Sequence, residues 1–286
     1  MIKIISGAAT VLLLTGVAAP ALAQNWMPNW DARPEWSGPY IGVYGSATKA
    51  NDQDDERLRF DRNLDGNFGD PVVTAAGADA FSPGSCGGSA NTGAIGGGCD
   101  DDADGSEGGV RAGWDFQFGS FVVGAVAEYS GFAGAEDSVT SYSTTPASYT
   151  FERKLENLAA LRARIGYAYG PALLYGTAGA ASGEMSNQFY SSNTQNSFTA
   201  TTDDDQADGY QAGGGVEYML APNFSVTGEY LYTSLEAPEF DVRVGRGVAI
   251  ATNPFVLTPN TTGTDMRRSN GRFGLHAVRI GMNYRF

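Results

Sequence analysis

Eight segments of this chain alternate polar or small residues with apolar ones, and their order leaves few folds open. They are residues 38–48, 108–118, 120–132, 150–169, 172–185, 209–220, 223–234 and 275–286. Alternation with period two is the signature of a strand with one apolar face. Within the pairs, the splits at Gly119-Ser120, Gly170-Pro171 and Ala221-Pro222-Asn223 carry turn residues and predict tight hairpins. Between the pairs lie long polar loops, at 49–107, 133–149, 186–208 and 235–274. The last segment ends Arg279-Ile280-Gly281-Met282-Asn283-Tyr284-Arg285-Phe286 and runs to the final residue. Such a strand leaves an unpaired edge unless it closes a barrel. The expected fold is all-β: an eight-stranded antiparallel up-and-down barrel with four long loops at one end.

Parity assigns the faces. Side chains alternate across a strand. Val110, Ala112, Trp114, Phe116 and Phe118 therefore share one face, opposite Arg111, Gly113, Asp115 and Gln117. Phe121, Val123, Ala125, Ala127 and Tyr129 oppose Glu128; Leu161, Ala163, Ile165 and Tyr167 oppose Arg162 and Arg164. Tyr210, Ala212, Val216, Tyr218 and Leu220 oppose Glu217, and Phe224, Val226, Tyr230 and Tyr232 oppose Glu229. Val278, Ile280, Met282, Tyr284 and Phe286 oppose Arg279, Asn283 and Arg285. The first and fifth segments give no parity. Alternation alone does not say which face is inside, and a soluble lipocalin-type barrel would keep the apolar face in. Two features favour apolar-out. Tyr and Phe gather toward strand ends, as interfacial girdles do, and the apolar set is too bulky to fill eight strands.

With the apolar face outward, Arg111, Arg162, Arg164 and Arg279 meet Asp115, Glu128, Glu217 and Glu229 in the lumen. An eight-stranded barrel is just wide enough for side chains to fill. Charges enclosed there must pair, because an isolated buried charge is too costly. The expectation is a plugged, salt-bridged core, with a narrow passive channel for small solutes as the alternative.

The start of the chain reads as an export signal. Lys3 supplies a positive charge, Ile4 to about Ala19 is apolar, and Ala21-Leu22-Ala23 fits a cleavage site before Gln24. The apolar run is shorter than the roughly 18 residues that a spanning helix needs. The expected organisation is a signal peptide over 1–23, a periplasmic segment over 24–36 and the barrel over 37–286. Trp26, Trp30 and Trp36 in that segment suggest an interfacial anchor, against an unstructured tail. In an exported chain, Cys86 and Cys99 are expected to form a disulfide around a Gly-rich loop.

Taken in order and spacing, several short motifs are similar to those of small OmpA-like outer-membrane β-barrels, the porin-family or outer-membrane β-barrel proteins. They are Trp36-Ser37-Gly38-Pro39-Tyr40-Ile41-Gly42; Leu161-Arg162-Ala163-Arg164-Ile165-Gly166-Tyr167 with Leu174-Tyr175-Gly176; Gly213-Gly214-Gly215-Val216-Glu217-Tyr218; Glu229-Tyr230-Leu231-Tyr232; and the terminal eight residues. The resemblance implies that Arg279, Gly281, Tyr284 and Phe286 form the signal read by the barrel assembly machinery. It implies an outer-membrane location, contact with outer-membrane lipid and lipopolysaccharide, an unknown surface partner, and structural, adhesive or host-contact roles. It implies no enzyme and no cofactor. A first loop of about 59 residues departs from the type, and no peptidoglycan-binding domain is expected after Phe286.

Candidate chemistry sits mostly in that first loop. Asp61-x-Asn63-x-Asp65-Gly66 with Asp70, and Asp100-x-Asp102-x-Asp104-Gly105 with Glu107, place oxygen ligands at alternate positions before a turning Gly. That pattern suits weak Ca²⁺ binding. Neither copy carries the Glu of an EF-hand's twelfth position, so a solvated acidic loop is the competing reading. Residues 49–107 hold 13 acids and 4 bases, whereas between 241 and 274, in the last loop, Arg243, Arg246, Arg267, Arg268 and Arg272 face only Asp241 and Asp265. Closure makes these loops neighbours, so their attraction could cap the barrel; screened, independent loops are the alternative. The run Asp203-Asp204-Asp205-x-x-Asp208 reads as solvated. A formal net charge of −14 argues against nucleic-acid partners. The single His, His276, leaves no second imidazole for a Ser-His-Asp or His-metal cluster and is expected at an interfacial strand edge.

Overall fold

The computed structural model describes residues 35–51, 56–85, 105–200 and 205–286. Its strands are β1 Gly38–Ala50, β2 Leu58–Asp61, β3 Gly84–Ser85, β4 Gly105–Phe118, β5 Phe121–Ala133, β6 Glu136–Ser143, β7 Ala147–Tyr169, β8 Ala172–Ser191, β9 Ser197–Ala200, β10 Gln206–Ala221, β11 Phe224–Glu236, β12 Val242–Gly245, β13 Gly263–Arg268 and β14 Arg272–Arg285. Eight of these close a ring in the order β1-β4-β5-β7-β8-β10-β11-β14 and back to β1, each pair antiparallel. The closing pair runs from Tyr40 opposite Arg285 to Ala50 opposite Leu275. The terminal strand therefore has partners on both sides, and the barrel has no open edge. Gly119 and Gly170 adopt positive φ, +64° and +56°, in two of the three two-residue hairpins, where an L side chain would be strained.

The outer face is the apolar one. Val110, Trp114, Phe116, Phe118, Leu161, Ile165, Val216, Val278, Ile280 and Met282 are all exposed on it. Tyr129, Tyr210 and Tyr230 ring one end; Phe121, Tyr167, Tyr169, Tyr218, Tyr284 and Phe286 ring the other. On β7 the outward apolar run spans residues 159–169 before polar residues resume, close to the ~9–11 tilted residues that cross a hydrocarbon core. No helix among the described residues is long and apolar enough to cross a membrane; the strands have the pattern that does so. The two segments without readable parity resolve in the same sense. Ile41, Val43 and Leu174 point outward, while Tyr40, Tyr44, Leu173 and Tyr175 are buried inside. Their parity was illegible because both of their faces are apolar or aromatic.

The four long connections correct the sequence expectation of plain polar loops. Part of residues 133–149 is a hairpin, with β6 pairing along an outward extension of β7. The other three loops each contribute strands to a second, four-stranded sheet, ordered β2-β13-β12-β9. First-loop β2 pairs last-loop β13 with Arg267 opposite Arg59, so these two loops do meet. One face of this sheet packs Leu58, Phe60, Val242, Val244 and Met266 against Tyr149, Phe151 and Phe255. Phe60, Phe81, Tyr149 and Phe255 contact one another with ring centroids 4.5–6.5 Å apart. The apolar residues that build this cap lie scattered across long separations with no period, so no local pattern announces them.

Two glycines on β4 make room for tyrosines in the lumen. A Cβ on Gly113 would lie 2.4 Å from the Tyr40 ring, and one on Gly109 would lie 2.5 Å from Tyr44. Both rings are buried and cannot retreat into solvent. Gly113→Ala is expected to destabilise the folded barrel by about 1–3 kcal/mol through overpacking, measured by urea unfolding in lipid vesicles. The open-space glycine Gly119, with nothing within 4 Å of a Cβ, provides the comparison for backbone effects alone.

Candidate functional site: the filled lumen and its cap

The inward faces of the strands bring five arginines and five carboxylates together: Arg111, Arg162, Arg164, Arg279 and Arg285 with Glu107, Asp115, Glu128, Glu217 and Glu229, all buried. Two clusters form. Toward the long-loop end, Arg279 binds Glu107 at 2.5 Å and Glu128 at 2.7 Å. Arg162 binds the same Glu128 at 2.7 Å, and Arg111 bridges Glu128 at 3.3 Å and Glu229 at 3.4 Å. Toward the short-turn end, Arg164 pairs with Glu217 and lies 3.6 Å from Asp115. Arg285 donates to Asp115 at 2.9 Å. Ser225 and Asn283 donate to the other oxygen of Glu217, at 2.6 and 3.1 Å.

Aromatic rings join the clusters. The Arg164 guanidinium lies 4.0 Å from the centre of the Tyr175 ring, and the Tyr175 hydroxyl donates to Glu229 at 3.3 Å. Tyr44 sits beneath both Arg111 and Arg279, at 4.7 and 4.6 Å. Charge-assisted bonds of this kind, with cation–π contacts, offset the desolvation that makes buried ions costly.

All eight sequence-named lumen residues lie in this network. Arg285 and Glu107 were not among them. Arg285 was visible on the polar face of the last strand but had no assigned partner. Glu107 corrects the metal reading: it lies inside β4, not on a loop, and neutralises Arg279 while accepting from Ser46 at 2.8 Å. The alternation of Glu107 with Arg111 and Asp115 carried the signal, hidden by its place after an acidic run. Trp36 corrects the anchor reading. It is fully buried at the short-turn end with Val122, Leu173 and Tyr175, and its carbonyl accepts from Arg285 at 2.6 Å. Trp26 and Trp30 lie outside the described residues.

The first acidic motif is a self-bonded turn. Asp61 accepts the backbone N–H of Gly66 at 2.7 Å, and Asp70 accepts that of Arg62 at 2.9 Å. Asp65 accepts from the backbone of Asn67 at 2.8 Å and from the side chain of Asn63 at 3.0 Å. These bonds hold the Asp65 carboxyl below its ordinary range. Among the described residues no group of three His, Cys, Asp or Glu side chains is arranged to hold a metal. Asp100, Asp102 and Asp104, like Cys86 and Cys99, lie outside the described residues. His276 sits on the outer face, its Nδ1 2.7 Å from the Tyr230 hydroxyl and its ring 5.0 Å from that of Tyr232. Gly281 faces inward, while Tyr284 and Phe286 meet edge to face on the outside, with ring centroids 5.1 Å apart.

Above the lumen clusters comes an apolar layer of Leu155, Leu158, Met185, Leu235 and Phe273. A second ionic layer joins it to the cap. Arg153 binds Asp137 at 2.5 Å, and Arg268 binds Asp137 and Glu56, both at 2.6 Å. Burial raises the Asp137 carboxyl, but the fields of Arg153 and Arg268 and their hydrogen bonds outweigh it and hold the group below its ordinary 3.8. A depressed carboxylate contributes stability that is complete above the unfolded value and is lost as pH falls through the folded one. Resistance of the cap to protease is therefore expected to stay level from neutral pH down to about pH 5 and to fall at more acid pH. Asp137→Asn should remove that acid-side loss.

Comparison with known proteins places this architecture. The family described as outer membrane protein beta-barrel domain matches residues 9–286. The chain is 30% identical over 197 residues to the 31 kDa outer-membrane immunogenic protein of Brucella melitensis biotype 1, covering 67% of this chain and 71% of that one. It is 31% identical over 137 residues to a 22 kDa outer membrane protein of Rhizobium leguminosarum bv. viciae, covering 48% and 56%. Among solved structures, OprG of Pseudomonas aeruginosa aligns with a TM-score of 0.42 at 12% identity, over 87% of this chain and 97% of that one. This chain belongs to the outer membrane protein beta-barrel domain family and is an outer-membrane β-barrel.

Proposed function

We propose that this protein is a sealed structural barrel that carries a folded cap at the cell surface for contact with partners outside the cell, and that it is not an enzyme. The observation behind this reading is the lumen: five buried arginines face five buried carboxylates, with Trp36 below them and an apolar layer above. A solute would have to displace paired charges whose desolvation is already met. The long-loop end of outer-membrane barrels faces outward, which gives the cap its exposure. The name of the Brucella relative, an immunogenic outer-membrane protein, accords with such exposure. Outer-membrane lipid and lipopolysaccharide surround the apolar belt in this reading, and the assembly machinery reads the terminal strand.

A second reading, a narrow passive channel, draws on lumen atoms without hydrogen-bond partners among the described residues, such as Arg162 Nε and Nη1, Asp115 Oδ1 and Asn283 Oδ1. Polar atoms left so invite water. Planar-bilayer recordings of the purified full chain separate the two. The sealed barrel is expected to show no steady conductance at neutral pH; large, stable openings overturn it.

A further inference from the structure

A cleft of about 290 Å³ opens between the ends of β11 and β14 and the edge of the cap sheet, close to the lower size of small-ligand sites, ~300 Å³. Its front is basic. Arg59 on β2 and Arg267 on β13 stand directly opposite one another across the sheet. Like charges in that position oppose each other and favour a shared anion. The arginines of the back wall are already neutralised, Arg153 by Asp137 and Arg268 by Glu56 and Asp137. Of the front ones, Arg267 keeps one partly buried carboxylate, Asp241, and a second that is open to solvent, Glu239. Arg59 is exposed and has no ion-pair partner among the described residues. Arg267 binds Asp241 at 2.9 Å and Glu239 at 2.6 Å, but the Glu239 side chain is 73% exposed. An ion pair so open to solvent is worth little and exchanges easily.

Arg267 is also pre-set for planar recognition. Its guanidinium lies 3.5 Å from the centre of the Phe68 ring, which fixes the fork that an oxyanion would meet. The remaining wall offers amides from Asn187 and Asn270 and the ring of Phe240. Hydroxyl-bearing rims and C–H faces of a sugar match donors and acceptors beside an aromatic surface.

We propose that this cleft binds a sugar phosphate, with Arg59 and Arg267 taking the phosphate, Glu239 released to solvent, and the sugar lying against Phe240 between Asn187 and Asn270. The same chemistry reaches the cleft from two sources, a free sugar phosphate or the phosphorylated sugar of a glycolipid headgroup. The inference does not depend on whether the lumen conducts. Calorimetry on the refolded full chain in nonionic detergent tests it with glucose 6-phosphate and inorganic phosphate. Saturable heat is expected with glucose 6-phosphate, with inorganic phosphate at least tenfold weaker. Arg59→Gln, at an exposed position that leaves the barrel intact, is expected to weaken binding at least tenfold. Glu239→Gln is expected to tighten it several-fold by removing the competing carboxylate. Competition by vesicles bearing a phosphorylated glycolipid assigns the lipid source, and binding without such competition assigns the free one. No heat up to 10 mM, equal affinity for inorganic phosphate, or unchanged affinity in Arg59→Gln overturns the proposal.

Discussion

Replacing Arg279 with alanine is expected to destabilise the barrel by about 3–5 kcal/mol, the cost of breaking a buried ion pair from one side. Arg279 reaches three carboxylates, Glu107 at 2.5 Å, Glu128 at 2.7 Å and Glu229 at 3.9 Å. Glu128 and Glu229 keep Arg111 and Arg162 as partners. Among the described residues Glu107 keeps only Ser46, so most of the loss falls on Glu107. A second substitution locates it: Glu107→Gln in the Arg279→Ala background should recover a substantial part, whereas Glu107→Gln alone should be destabilising. Urea unfolding in lipid vesicles gives all four corners of this cycle. A loss below about 1 kcal/mol for Arg279→Ala, the scale of a solvent-exposed pair, would show that water hydrates these charges, and the sealed-lumen reading would fall with it.

The second large effect lies in the cap. Phe255→Ala is expected to remove about 3–5 kcal/mol from the cap core, the usual cost of truncating a buried Phe. Its ring contacts Phe60, Phe81 and Tyr149, which come from the first and second loops. Its carbonyl also accepts from Thr264 at 2.8 Å. The loss should stay local, because the barrel's own pairing and its lipid-facing belt do not involve this residue. Trypsin added to intact cells should cut the variant within the last loop, where Arg243, Arg246 and Arg267 lie, while the heat-dependent gel shift of a folded barrel persists. A cap as resistant as the unmodified one would mean that the aromatic core does not hold the loops together. Loss of the gel shift would mean that cap and barrel fold as one unit.

These two tests probe layers that were unequally visible in the sequence. The lumen was legible because a strand's period of two forces every second residue inward. Once the greasy face of β4 was assigned by Val110, Trp114 and Phe116, the inward placement of Arg111 and Asp115 followed. What alternation does not give is partner choice. Arg279 meets Glu107 across β1, and Arg285 meets Asp115; both pairings depend on barrel closure, which brings residues about 170 positions apart into contact. Tyr40 and Tyr44 were illegible for a different reason. They sit on a strand with bulky residues on both faces, and only Gly113 and Gly109 opposite them create the space they occupy.

The cap marks where sequence reading stopped. Phe60, Tyr149, Phe255 and Met266 lie in three loops that look polar on average. Short strands such as β9 and β12, four residues each, are too brief to show a period against surrounding polar residues. The opposite charges of the first and last loops did point toward contact, and those loops pair as β2 and β13. Arg268 of the last loop binds Glu56 of the first, whereas along the paired strands like faces like: Arg59 faces Arg267, and Asp61 faces Asp265. The apolar face of that sheet carries its packing.

By itself the sequence determined the eight barrel strands, the hairpin order, the outward apolar belt and the inward set of charges, because each follows from local periodicity and turn chemistry, which act over a few residues. Only the tertiary structure decided which charge meets which, that Trp36 and Glu107 belong to the interior, and that three loops join in one capping sheet. Those outcomes arise from contacts between residues far apart in the chain, whose free energy appears only once the barrel has closed and brought them within reach.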